Sequence, residues 1–205
     1  AAITSLEQGK TCYTSSSGLL LFRERIAEYL ERRFAVKYNP KDEILVTVGG
    51  SEAIDLAIRA IVEPGDEVLV VEPSYVCYTP ITQLTGGVAV SIPTRAEDNF
   101  KLTPELLRKY ITPKTKMLIL PYPNNPTGAI MTHEDLQRIA DVLRDTNIVV
   151  LTDEIYGELT YGRKHSSFAA IPSMWERTIY VGGFSKTYAM TGWRLGYVCA
   201  PKEML

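Results

Sequence analysis

The sequence predicts an α/β fold: a three-layer α/β/α sandwich around a mostly parallel, seven-stranded mixed sheet. Three observations carry this expectation. Seven short apolar runs punctuate the chain, EILVTV at 43–48, EVLVVE at 67–72, GVAVSI at 87–92, KMLIL at 116–120, NIVVL at 147–151, TIYVGG at 178–183 and LGYVC at 195–199. Their apolar residues tend to run together instead of alternating with polar ones, which is the pattern of strands covered on both faces. Longer stretches of helical spacing at 51–62, 103–111 and 132–144 supply the covering helices.

Taken in order, the first element is a helix. From Leu19, apolar residues recur at Phe22, Ile26, Leu30 and Phe34 with Arg and Glu between them, one buried face behind a Ser17 cap. Asn39-Pro40 ends that pattern and the strand-like runs begin. The stretch from Thr132 has a hydroxyl cap, Asp135 three residues on, and an apolar stripe at Leu136, Ile139, Ala140 and Leu143. No internal repeat, low-complexity tract or linker interrupts the chain, so residues 1–205 read as one domain.

Composition narrows the function classes. With 45% apolar and 22% charged residues, the chain suits a globular domain with a sizeable core. Lys and Arg total 22 against 24 Asp and Glu, which argues against a nucleic-acid footprint or a polybasic membrane surface. No apolar run approaches the ~20 residues that span a bilayer, and AAITSLEQGK at the start has no apolar signal core. Cys12, Cys77 and Cys199 are scattered without a CxxC pair, as expected of reduced thiols in the cytoplasm. His133 and His165 lack metal-ligand spacing, so no metal is expected. A first residue other than Met, and a last segment PKEML directly after a strand-like run, suggest a piece of a longer protein.

In an open, mostly parallel sheet, ligands gather outside the carboxyl ends of the strands, so the residues just after each run are the candidates for chemistry. EILVTV leads into Gly49-Gly50-Ser51-Glu52-Ala53 and at once into a helix, whose first amides suit an anion such as phosphate; a plain tight turn explains the glycines equally well. Neither GxGxxG nor GxxxxGK[ST] occurs, against a dinucleotide or nucleoside-triphosphate site. EVLVVE leads into Pro73-Ser74-Tyr75, where Tyr75 offers a flat stacking surface or is an ordinary boundary aromatic. KMLIL gives way to PYPNNPTG at 121–128, a rigid turn with amide side chains.

NIVVL ends in Thr152-Asp153-Glu154-Ile155-Tyr156. A carboxylate placed there is costly unless a cation meets it, so Asp153 is paired with a structural Arg or Lys, caps a helix, or is the counter-ion of a protonated heterocycle. TIYVGG runs into Ser185-Lys186, with no other cation until Arg194 and with small or aromatic flanks; taken alone Lys186 is an ordinary solvated surface charge, but this setting also suits an amine nucleophile. Each feature has an ordinary structural explanation when taken singly.

Together and in this order, the glycine turn, Tyr75, NNPTG, DEIY and SKTYAMTGWRLG resemble the class I/II aminotransferase family of pyridoxal 5'-phosphate enzymes, fold type I, over nearly the whole chain. The resemblance implies that Lys186 holds the cofactor covalently and later moves the substrate's α-proton, and that Asp153 partners the pyridine nitrogen. It likewise assigns Asn125 and Tyr156 to the ring hydroxyl oxygen and Tyr75 to stacking on the ring. Gly50, Ser51, the backbone N–H of Glu52, Ser185 and Arg194 fall to the phosphate. Tyr13, in KTCYTSSSG, matches the residue that reaches the neighbouring subunit's phosphate, which implies a homodimer. Amino acids and 2-oxo acids are the implied substrates.

Two departures stand out: Gly183, where many relatives carry Ser or Thr, and the length, since family members also have an N-terminal arm and a C-terminal small domain. The chain is therefore expected to be the cofactor-binding large domain, of low activity by itself. Other readings of the same site are a carbon–sulfur β-lyase, the effector-sensing domain of a transcription regulator, and a catalytically silent scaffold.

Overall fold

In the computed structural model, which describes residues 1–205, all seven apolar runs are strands. They are β1 Ile44–Thr47, β2 Glu67–Glu72, β3 Val88–Pro93, β4 Thr115–Leu120, β5 Val149–Asp153, β6 Thr178–Gly183 and β7 Gly196–Cys199. Six helices accompany them: α1 Ala2–Glu7, α2 Leu20–Phe34, α3 Gly50–Ile61, α4 Tyr78–Leu84, α5 Pro104–Tyr110 and α6 His133–Leu143. The sheet order is β1-β7-β6-β5-β4-β2-β3. From β6 through β3 every neighbouring pair is parallel, while β7 runs antiparallel to both β6 and β1.

Side chains alternate across a strand, and here both sides find a helix layer. In β2, Leu69 and Val71 face the cluster built with α5 and α6, while Val68 and Val70 face Ile54 and Ile58 of α3 and Tyr78 of α4. The same division puts Leu118 and Leu120 of β4 on the first side and Met117 and Ile119 on the second. Helix α2 closes the first side at the β1–β7–β6 end, where Ile26, Leu30 and Phe34 bury Ile44, Tyr180 and Tyr197. Each Val, Leu or Ile taken out of water in this way contributes roughly 1.5–3 kcal/mol, and two-sided burial is why the runs read as continuous.

The Ser17 cap is corrected. The residue that starts α2 is Leu19, and no side chain caps it. Gly18, at φ +92°, separates Ser17 from the helix, and the Ser17 carbonyl accepts from the Val46 N–H at 3.1 Å, tying the entry segment to β1. The α6 start is as expected: the Thr132 hydroxyl accepts from the Asp135 N–H, and the Asp135 carboxylate accepts from the Thr132 N–H at 3.0 Å.

Parallel packing brings the carboxyl ends of β2, β4, β5 and β6 to one edge of the sheet, and β1, two strands from β6 through a reversed neighbour, ends there as well. Because β7 is reversed, its beginning lies at that edge, opposite both Thr47 and Gly183.

Asp135 sets a pH dependence of stability. Its burial acts against ionisation, but hydrogen bonds from Lys101, the Thr132 N–H and Arg138 outweigh it and hold the carboxyl down at about 2, from an ordinary 3.8. A depressed carboxyl stabilises the fold above its ordinary value, and that stabilisation is lost as pH falls toward the folded value. Asp135→Asn is expected to cost about 1 kcal/mol in urea unfolding at neutral pH, with the deficit against the unsubstituted chain closing between roughly pH 4 and pH 2.

Candidate active site

At this edge the strand ends enclose a cavity of about 150 Å³. Nine of the residues singled out in the sequence line it: Gly50, Ser51, Tyr75, Asn125, Asp153, Tyr156, Ser185, Lys186 and Arg194. They come from the ends of five different strands and the turn before β7, so only the tertiary fold makes them neighbours.

Asp153, the last residue of β5, is 7% exposed and joins none of the chain's ion pairs. The alternative of a structural Arg or Lys partner is thereby removed. Its Oδ2 accepts from the Tyr78 hydroxyl at 2.8 Å and its Oδ1 from the Ile155 N–H at 3.2 Å. Burial raises its pKa above the ordinary carboxylate value, and the bonds from Tyr78 and Ile155 work in the opposite direction. Burial likewise lifts the Tyr78 phenol well above its usual range, so the hydroxyl stays a donor. The neighbouring Cys77 thiol is pushed up to about 12, first by burial and then by the Asp153 charge, which makes it a poor nucleophile.

At the other end of the cavity lies the start of α3. Its N-cap, Gly49, has φ +83° and ψ 168°, a conformation open almost solely to glycine. The absent side chain is also required by space, because a Cβ there would overlap the Arg194 guanidinium. Arg194 donates from Nη1 to the Thr191 carbonyl at 3.0 Å, which turns the fork toward the helix start. Glu52 contributes no side chain to the cavity: its carboxylate accepts from the Val48 N–H, closing the helix entry, and its backbone N–H belongs to the free first turn. First-turn amides, a positive helix end and a guanidinium fork have the chemistry that suits an anion. Ser51 Oγ lies 3.4 Å from the Tyr75 hydroxyl, linking that end to the aromatic wall.

Lys186 is solvent-accessible within the cavity, with Nζ 5.8 Å from the centre of the Tyr156 ring. Neither Lys186 nor Arg194 takes part in an ion pair. The cavity therefore holds two uncompensated cations and one uncompensated, buried carboxylate. That donor set fits pyridoxal 5'-phosphate, a molecule with a phosphate, a carbonyl reactive toward amines and a basic ring nitrogen.

Tyr156 is set by a lock on the opposite side of β5. Glu154, 3% exposed, accepts at Oε1 from the Thr152 and Ser167 hydroxyls and the Phe168 N–H, at 2.9–3.0 Å. Its Oε2 lies 2.6 Å from His165 Nε2, and the His165 ring meets Phe34 edge-on at 5.4 Å. This anchors both ends of the 154–168 segment that carries Tyr156. The role of His165 is thus structural support for that segment.

Tyr13 is not brought to the cavity; its side chain is fully exposed. Gly183 does not line it either, and a Cβ there would press on Ile155 at 3.3 Å and the Leu195 carbonyl at 3.4 Å. Sequence reasoning missed Tyr78, Ile54, Ile155, Pro121, Pro123 and Thr191. Pro121 and Pro123 belong to the PYPNNPTG turn, Ile155 to DEIY and Thr191 to SKTYAMTGWRLG, while Tyr78 stands three residues beyond Tyr75, whose ring it meets edge-on at 5.9 Å.

Gly49→Ala is expected to destabilise the chain by about 1–3 kcal/mol in thermal or urea unfolding. It should also weaken inorganic phosphate binding in a calorimetric titration, because the new methyl displaces the Arg194 fork.

Comparison with known proteins agrees with the geometry. The sequence profile of the family described as "Aminotransferase class I and II" matches residues 2–205. The chain is 48% identical over 201 residues to a protein named putative aminotransferase YugH from Bacillus subtilis, covering 98% of this chain and 52% of that protein. It is 44% identical over 202 residues to an aspartate aminotransferase of Pyrococcus abyssi, covering 98% and 52%. Among solved structures, the aromatic aminotransferase of Pyrococcus horikoshii superposes with a TM-score of 0.97 at 44% identity, over 99% of this chain and 55% of that one. The chain spans about half the length of these relatives. With the profile matched over nearly every residue, and with this fold and this cavity, the chain belongs to the class I and II aminotransferase family.

Proposed function

We propose that this chain is the cofactor-binding domain of a pyridoxal 5'-phosphate-dependent aminotransferase, which moves an amino group from an amino acid to a 2-oxo acid. One observation carries the reading: a buried carboxylate without a cation, a lysine without an acid and a helix start with an arginine fork converge on one cavity. A purely structural role for Asp153 would pair it with a cation, since an unpaired buried charge is costly.

When bound, the cofactor supplies a ring that takes up the electrons released as a bond to the substrate's α-carbon breaks. Asp153 would keep the ring nitrogen protonated by accepting its hydrogen, which would make that uptake favourable. The Lys186 amine is the group that would hold the cofactor through its carbonyl carbon, and its Nζ would carry the substrate's α-proton. Arg194, the hydroxyls of Ser51 and Ser185, and the amides of Gly50, Ser51 and Glu52 hold the phosphate. Asn125 and Tyr156, which line the same cavity, would hydrogen-bond the ring hydroxyl oxygen, and Tyr75 would stack on the ring.

Tyr13, exposed near the start of the chain, supports a homodimer in which this residue completes the partner's phosphate site. Three free, scattered cysteines support a reducing, cytoplasmic setting, and no helix is long and apolar enough to cross a membrane.

Mixing the chain with pyridoxal 5'-phosphate and reducing with borohydride should fix the cofactor on the peptide that contains Lys186, as read by mass spectrometry. Lys186→Ala should abolish the modification; labelling of a different lysine would overturn the assignment. Arg194→Ala should weaken cofactor binding by about tenfold or more, since a charge-assisted bond to the phosphate is lost.

A further inference from the structure

Tyr78 has no role in the assignments above, yet its hydroxyl makes the shortest hydrogen bond to Asp153. It is the first residue of α4, 75 positions away from Asp153 in the chain. Its ring is 2% exposed and packs in the core layer with Ile54, Ile119 and Leu151. The core, not the cavity, therefore fixes where its oxygen sits. On the other side of the carboxylate the Ile155 N–H engages Oδ1. A carboxylate offers about four acceptor positions, and these two donors occupy one on each oxygen. No other side chain or backbone group donates to the rest, and Asp153 lines the cavity.

We propose that Tyr78 is a positioning residue that acts through Asp153: its buried hydroxyl fixes the carboxylate's orientation and keeps it in the charged form that a protonated ring nitrogen needs. The inference rests on the cofactor reading of the cavity. Without the hydroxyl, a carboxylate buried among apolar neighbours keeps one donor, at 3.2 Å, and takes up a proton at higher pH. A protonated Asp153 can no longer accept the ring's hydrogen on that oxygen, and the electron-withdrawing state of the ring is lost. The other groups that face Asp153 do not replace the bond. Cys77 from the start of α4 stays a neutral thiol, Glu154 points to the opposite side of β5, and Lys186, Tyr156 and Arg194, which line the same cavity, make neither an ion pair nor a hydrogen bond with Asp153.

The test is Tyr78→Phe, which keeps the ring and removes only the oxygen, in the unsubstituted and Asp153→Asn backgrounds. The Asp153 carboxyl is followed by 13C NMR against pH in the 205-residue chain without cofactor, with Asp153→Asn identifying the signal. Tyr78→Phe is expected to move the Asp153 midpoint up by about one pH unit, the equivalent of one lost hydrogen bond to a charged group. Pyridoxal 5'-phosphate is then titrated into each variant, with absorbance and fluorescence read across pH. Tyr78→Phe should weaken binding about tenfold and shift the pH profile of the bound chromophore in the unsubstituted background, and should add nothing once Asp153 is Asn.

An unchanged Asp153 midpoint, or an equal loss in both backgrounds, overturns the inference, the second because it marks Tyr78 as a packing residue. Thermal unfolding of Tyr78→Phe at the unsubstituted temperature confirms that the fold is intact. Failure of the unsubstituted chain to capture cofactor overturns the reading of the site and this inference with it; capture that Tyr78→Phe leaves unaltered overturns the inference alone.

Discussion

Asp153 is a carboxylate taken out of water at the end of a central strand, with no cation of the chain beside it. Such a group is among the more costly things a fold can hold, and much around it is arranged to make it tolerable. A tyrosine from the helix layer that Asp153 faces donates one hydrogen bond, and the chain turns directly after β5 so that the Ile155 N–H donates another. The cost that remains is what gives the position its chemical value. A charge left partly unsatisfied by the protein is available to a ligand, and a protonated ring nitrogen is the kind of group that would complete it.

The architecture delivers the remaining parts to the same place. Parallel connections return each strand in the same direction, so consecutive strand ends collect at one edge although their residues lie far apart in sequence. The reversed β7 adds something the parallel strands cannot. It presents its beginning at that edge, so the segment before it, with Arg194, meets the start of α3 and the missing side chain of Gly49. Negative and positive functions are thereby separated along the cavity: the carboxylate under one end and the anion-binding helix start at the other, with Lys186 free between strand and turn.

Much of this was legible in the sequence, for physical reasons. Strands buried on both faces leave continuous apolar runs, and all seven were readable to within a residue or two. The α6 start was readable because a capping box is local. Ser17 was misread because a left-handed turn at Gly18, set by packing against Val46 of β1, puts the helix start two residues later. Helix α4 went unseen because YTPITQL is short, carries a proline and two β-branched threonines, and has little periodicity of its own. Missing α4 meant missing Tyr78, whose contact with Asp153 exists only after the layers pack. The same holds for His165: nothing in its local sequence says that a glutamate eleven residues earlier would be its partner.

The adjacent pair Asp153-Glu154 shows how closely the chemistry depends on strand parity. Successive side chains point to opposite sides, so one carboxylate reaches Tyr78 and the cavity while the next enters a closed nest with His165, Ser167 and Thr152. The two acids are nearly alike chemically and are told apart only by which way they face. A slip of one residue in β5 would exchange them, sending the short acid into a nest spaced for the longer one and the longer one into the cavity. The nest thus acts as a checksum on the register of β5: the cavity edge can form only if the strand has been counted correctly on its hidden side.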